Sequence, residues 1–392
     1  MILFIQLLFW ITVLLILHTY VFFPLILKLV AGRKAPNRVT YAKNDAELPE
    51  IAVIMAVHNE QEVIAKKIEI VFDSDYPADK IHFYIGSDKS GDDTNAIIRK
   101  HQSRYQNLRL IEFTERTGKA GIINHLVERV QQEILILTDA NVLFDRETIY
   151  ALVKHYKNPD IALVGGNILN QEYRREGISY QEKKYLEREN IIKYREGLIW
   201  GTMMGAFGGL YSIRKSFFAP VPRNFLVDDF YITMHALAKG KLAINELSAV
   251  SYEDASNKIS EEFRRKIRIS AGNFQNLSVY KKLLWPPFTG LAFSFLSHKV
   301  LRWITPFLLI INLFCNALLL NYHAIYRFAL AAQIMCLCVP LMDALLKKIA
   351  INFRVFRFIS HFYSMNLALL IGFIKYSIGV KTNIWRPTER NQ

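Results

Sequence analysis

The stretch that most constrains this chain comes first: Ile2 to Leu27 holds no Asp, Glu, Lys or Arg. It exceeds the roughly 20 residues needed to cross hydrocarbon, and in lipid its backbone must satisfy its own hydrogen bonds as a helix. It has no basic leader region and no small-residue cleavage site, so residues 1–28 read as a retained anchor. Lys28, Arg33, Lys34 and Arg38 follow at once, and the positive-inside rule then puts the next domain in the cytoplasm, at the inner face of a plasma membrane. Apolar runs return in a second membrane segment, residues 300–382, where Trp303 to Leu320 and Ala324 to Leu341 read as spans joined by a loop bearing only Arg327. Residues 359–380 are interrupted by His361, Asn366 and Lys375, and a full crossing there would carry Lys381, Arg386 and Arg390 outside. A partly re-entrant or interfacial path is expected, with a fourth crossing as the alternative. Residues 284–298, with Trp285-Pro286-Pro287, read as an interfacial segment, and residues 383–392 form a Trp/Arg tail.

Between these segments, residues 48–280 change character. Ile51 to Val57 is a continuous apolar run of the kind buried on both faces of a sheet, and it ends in His58-Asn59-Glu60. Ile81 to Gly86 opens into Ser87-Asp88-Lys89-Ser90-Gly91-Asp92-Asp93, Leu108 to Glu115 supplies a third strand, and Ile134 to Leu137 ends in Thr138-Asp139-Ala140-Asn141. Helical periodicity fills the gaps, as in Ile122, Ile123, Leu126, Val127 and Val130. Alternating strands and helices predict an α/β fold with a doubly wound, mostly parallel sheet, which gathers the polar loops along one edge. An Asp there can hold a metal-bound phosphate ligand or simply form a turn.

Other chemistry is excluded by spacing. Gly118-Lys119 is not a triphosphate loop, because Phe113 stands where the first glycine belongs and Ala120 where a Ser or Thr should meet magnesium. No Gly-x-Gly-x-x-Gly follows the first strand, which argues against a dinucleotide enzyme. The net charge of +14 points to lipid headgroups and a phosphate-bearing donor rather than nucleic acid, given the flanking spans. Cys315, Cys336 and Cys338 all lie in the apolar C-terminal region and form neither a disulfide framework nor a zinc pattern.

The ordered series Ala56-Val57-His58-Asn59-Glu60, Ser87-Asp88 with Asp92 and Asp93, Gly118-Lys119-Ala120 with Asn124, Thr138-Asp139-Ala140-Asn141 and Val227-Asp228-Asp229 resembles glycosyltransferase family 2, in its membrane-embedded branch. The likeness covers roughly Pro49 to Leu277, and its nearest patterns are synthases of cellulose, hyaluronan and poly-N-acetylglucosamine and bacterial surface-glycan transferases. It implies a GT-A-type sheet and transfer with inversion from a nucleotide-diphosphate sugar, a UDP-sugar foremost, to a growing surface polysaccharide. A lipid-linked acceptor taking one sugar is the alternative, and a non-catalytic membrane scaffold the alternative of another class. A homo-oligomer or export partner would account for the slim bundle.

The resemblance also implies roles. His58, Glu60, Asp88, Lys119, Asp139, Asn141, Arg265 and Arg268 would hold the donor, with Asp88 at the uracil edge and Lys119 at a phosphate. Asp139 and Asn141 would hold Mg²⁺ or Mn²⁺; the second acid of the family's Asp-x-Asp is here the amide of Asn141, a weaker ligand. Asp229 would be the base and Asp228 its orienting neighbour, although two acids before a helical run also suit a helix N-terminus. Gly205, Gly208 and Gly209 would let the acceptor sugar approach the backbone. Where processive synthases carry Gln-x-x-Arg-Trp, this chain has Arg265, Arg268 and Ile269, and the stacking Trp is gone. Trp385 and Arg390 would belong to a gating loop.

Overall fold

The computed structural model describes residues 1–170, 178–253, 259–349 and 353–380, and the notable Trp385 and Arg390 lie outside them. The chain divides into two compact units, one built from Met1–Ile26, Lys258–Val279 and Phe295–Gly379, the other from Leu27–Asn257 and Tyr280–Ser294.

The second unit holds eight strands, β1 (Ile51–Val57), β2 (Ile81–Asp88), β3 (Leu108–Phe113), β4 (Ile134–Thr138), β5 (Leu143–Phe144), β6 (Ile161–Asn170), β7 (Leu210–Arg214) and β8 (Leu242–Glu253). They form one sheet in the order β3-β2-β1-β4-β7-β6-β8-β5. Every residue of β1 and β4 is buried, as their unbroken apolar sequences require. β3, β2, β1 and β4 run parallel, so His58, Asp88 and Asp139 emerge at the same edge. The helix Lys119–Arg129 returns across β1 and β2 and lies so close that a Cβ on Gly86 would stand 2.3 Å from Ile122 Cγ2. β7 runs antiparallel to both β4 and β6, which makes the sheet mixed. β3 stops at Phe113, two residues before Glu115.

The first unit is helical. The helices Ile2–Ala31, Gly290–Leu318, Ala324–Leu346 and Arg354–Ile378 are each long and apolar enough to cross a membrane. Residues 290–298, assigned from the sequence to an interfacial segment, run in the same helix as Leu301–Leu318. Over residues 359–380, where the sequence leaves a re-entrant or interfacial path and a fourth crossing open, the chain forms an unbroken helix, Arg354–Ile378. The Nδ2 of its buried Asn366 donates within that helix to Phe362 O at 2.9 Å, and the polar interruption does not break the helix. Inside the unit, Asn312 Nδ2 donates to Phe9 O at 3.0 Å and to Thr12 Oγ1 at 2.8 Å, and Gln333 joins Asn312 and Asn316 at 2.5 and 2.9 Å. A Cβ on Gly372 would stand 2.3 Å from Ser270 Oγ, so glycine lets the last helix meet Ile259–Tyr280.

Candidate active site

The first cluster forms where β1 and β2 end. His58 Nδ1 lies 2.8 Å from Asp88 O, and Arg116 Nη1 lies 2.6 Å from His58 Nε2. A guanidinium only donates, so Nε2 accepts and the proton sits on Nδ1, where it is donated to the carbonyl. Asp88 is fully buried; its carboxylate accepts from Arg116 Nε at 3.1 Å, Thr117 N at 2.6 Å and Gly118 N at 3.2 Å. The residue that the resemblance sets at a uracil edge is thus committed to holding the 116–118 turn. Glu60 donates its backbone N–H to Thr94 Oγ1 at 2.8 Å, and Asn59 before it has a φ of 56°, a left-handed backbone unusual without glycine. Arg116 escaped the sequence reading; its partners lie on other strands and leave no local pattern.

The second cluster centres on Lys119. Gly118, at a φ of 80°, turns the chain into the helix Lys119–Arg129, and Lys119 Nζ reaches Asp139 Oδ1 at 2.6 Å beyond the end of β4. Burial works to lower Lys119, but Asp139, Asp228 and Asp229 act on it together and hold it above the ordinary lysine range. Asp228 and Asp229 open the helix Asp228–Ala238, so the structure brings the three acids around one lysine. Asp229 is partly exposed by area yet enclosed by neighbouring atoms. Burial, then the Asp228 charge, pushes its carboxyl up to about 6, against the pull of Lys119. Tyr211 on β7 is buried beside the same acids, and its hydroxyl has no hydrogen-bond partner among the described residues.

The glycine loop closes the other side. Gly205 has a φ of 81°, and a Cβ there would meet the Phe230 ring at 2.5 Å. A Cβ on Gly208 would stand 2.9 Å from Asp229 Oδ2, and one on Gly209 would stand 2.7 Å from Val142 Cγ2. The loop therefore lies directly against the Asp229 carboxylate, and only glycine permits that approach. Ala206 N donates to Thr233 Oγ1, which donates to Asp229 O at 2.7 Å, while Met204 N donates to the buried Glu196. Lys193 lies over the Phe207 ring at 3.2 Å and lowers Asp229, a buried cation the sequence reading did not find. Arg265 and Arg268 lie on the helix Ile259–Tyr280 of the other unit; Arg265 pairs with Glu262 at 3.0 Å and Arg268 is exposed.

Among the described residues no three His, Cys, Asp or Glu side chains gather as a metal-holding group. Asp139 and Asn141 are partly exposed oxygen donors on one turn, and such a set suits Mg²⁺ or Mn²⁺, which take few protein ligands and complete their shell with phosphate and water. The Tyr211 hydroxyl, unpartnered among the described residues, is a further buried polar atom beside the acids.

Comparison with known proteins fits this geometry. Residues 52–218 match the family model for Glycosyl transferase family 2. The chain is 23% identical over 167 residues to a beta-monoglucosyldiacylglycerol synthase of Synechocystis sp., covering 41% of this chain and 35% of the relative. It is 29% identical over 121 residues to glycosyltransferase AglE of Haloferax volcanii, covering 31% of this chain and 40% of the relative. The matches thus span only 35–40% of the length of these curated relatives. A mannosyltransferase from Pyrobaculum calidifontis, solved with GDP-Man and Mn²⁺, shares the fold with a TM-score of 0.70 at 21% identity, covering 94% of this chain and 99% of that one. Residues 52–218, within a mixed GT-A-like sheet, are thus similar to Glycosyl transferase family 2.

Proposed function

We propose that this chain is a membrane-bound inverting glycosyltransferase that takes a sugar from a nucleotide-diphosphate donor, with its catalytic domain on the cytoplasmic side. One observation carries the reading: Asp139, Asp228 and Asp229 all act on Lys119 beside a glycine loop that lies against Asp229. Asp229 takes the proton of an acceptor hydroxyl as its oxygen bonds to the anomeric carbon, and the bond from that carbon to the diphosphate breaks on the opposite face. Lys119 neutralises charge on the departing diphosphate. Asp139 and Asn141 would hold the Mg²⁺ or Mn²⁺, which supplies further charge stabilisation when bound. The metal reading is supported by the fold neighbour, which was solved with Mn²⁺ and GDP-Man.

The acceptor is a growing polysaccharide in our first reading and a lipid-linked acceptor taking one sugar in the second. The lipid reading gains support from the relative named as a monoglucosyldiacylglycerol synthase. Product length separates them: a ladder of polymers supports the first, a single added sugar the second. The test of the whole reading is nucleoside-diphosphate release by purified protein in lipid nanodiscs, across UDP- and GDP-sugars with Mg²⁺ or Mn²⁺. One donor should turn over, and Asp229→Asn and Asp139→Ala should abolish it. Silence with every donor, in the presence of lipid, would reject the enzyme in favour of a scaffold.

A further inference from the structure

The helix Ile64–Phe72 lies outside the cluster just described, yet it sends one side chain beneath it. Lys67 is 0% exposed. Its Nζ donates to Thr138 Oγ1 at 2.8 Å and to the Val142 carbonyl, and it stands 3.7 Å from the centre of the Phe144 ring. These contacts clamp both ends of the turn that presents Asp139 and Asn141. Thr138 passes the connection on, because its single hydroxyl proton goes to Gly209 O at 2.9 Å. Gly209 packs against Val142 and follows Gly208, the residue against the Asp229 carboxylate. A hydrogen-bonded chain therefore runs from Lys67 through Thr138 to the glycine loop, joining the donor side to the base side.

A methionine would fill the space of Lys67 without the desolvation penalty of an amine, so packing alone does not explain the lysine. Burial pushes the amine well below the ordinary lysine range, with Asp139 acting against that shift. Even a neutral amine has two N–H groups, and two acceptors are in place for them.

We infer that Lys67 is a positioning residue of the transfer reaction: through Thr138 and Val142 it fixes the Asp139 turn at a set spacing from the glycine loop and so prepares the site for a metal-bound nucleoside diphosphate. This rests on the donor-site reading of Asp139. Removing such a supporting contact typically weakens metal-linked binding by about 10–100-fold.

The test uses full-length protein in nanodiscs, titrated calorimetrically with UDP and with GDP in Mn²⁺, alongside steady-state kinetics. Lys67→Met should weaken nucleoside-diphosphate binding by about 10–100-fold and raise donor KM as well as lower kcat. A merely structural loss would reduce the active fraction and leave KM unchanged, which would overturn the inference. Thr138→Val should have a similar effect, and the double variant should be little worse than the stronger single one, because both cut one chain. If Lys67→Met does not fold, Thr138→Val decides by the same readouts, and wild-type affinity in that variant overturns the inference. Binding by the wild type that a folded Lys67→Met leaves unchanged overturns the role of Lys67 alone; no binding of either nucleotide by the wild type overturns the donor-site reading and this inference with it.

Discussion

Asp229 carries two opposed consequences of one environment. Burial and the Asp228 charge push its carboxyl up to about 6, so it ionises just below neutral pH, where a base can both hold and release a proton. As pH falls below about 6, kcat/KM should drop close to tenfold per unit, and a pH–rate profile checks this. Asp229→Asn should lower kcat at least about 100-fold. For stability the sign is reversed. The folded value lies above the reference of 3.8, so the contribution is fully present below that reference and is lost as pH rises through about 6. At pH 7.5, Asp229→Asn should therefore raise folding stability by about 1–2 kcal/mol, read as a higher Tm. Gly208→Ala tests the same carboxylate from its other side: the added Cβ, 2.9 Å from Oδ2, should displace it and cut kcat with little change in Tm.

At the scale of elements, the donor and base sides are joined by more than the sheet. Asn124, on the helix that Lys119 opens, donates to Val221 O at 2.8 Å and accepts from Val221 N at 2.9 Å, holding the segment that leads into Asp228 and Asp229. Asn124→Ala removes both bonds; it should cost about 1–3 kcal/mol by thermal unfolding and lower kcat. The elements most legible in the sequence were β1 and β4, because strands buried on both faces must be written in unbroken apolar residues and their polar residues fall at the ends. β7 was not legible. Leu210-Tyr211-Ser212-Ile213-Arg214 is short and follows a glycine-rich stretch, and its antiparallel direction comes from pairing with β4 and β6 rather than from any local preference. Among site residues, the acids and Lys119 stood out by order and spacing. Arg116, Lys193 and Lys67 did not, since a lysine or arginine among polar residues reads as solvated until the fold shows what covers it.

For the molecule as a whole, the helical unit is joined by polar contacts between helices as well as by apolar packing. Asn312 binds Phe9 O and Thr12, and Gln333 binds Asn312 and Asn316. Asn312→Leu should loosen the first helix within that unit and lower stability in detergent by about 1 kcal/mol, measured by thermal unfolding. The same unit contains the basic helix Ile259–Tyr280, which packs against the last helix through Ser270 and Gly372. The sheet carries a different consequence, one of timing. Thr138 finds its antiparallel neighbour only at Leu210, and the base comes later still, at Asp229. A ribosome that has made β1 to β4 has made the donor carboxylate, but β4 keeps an open edge until β7 emerges. Under the function proposed above, the nascent chain thus acquires its nucleotide half before its base, and a half-made molecule would have no means to spend a sugar donor.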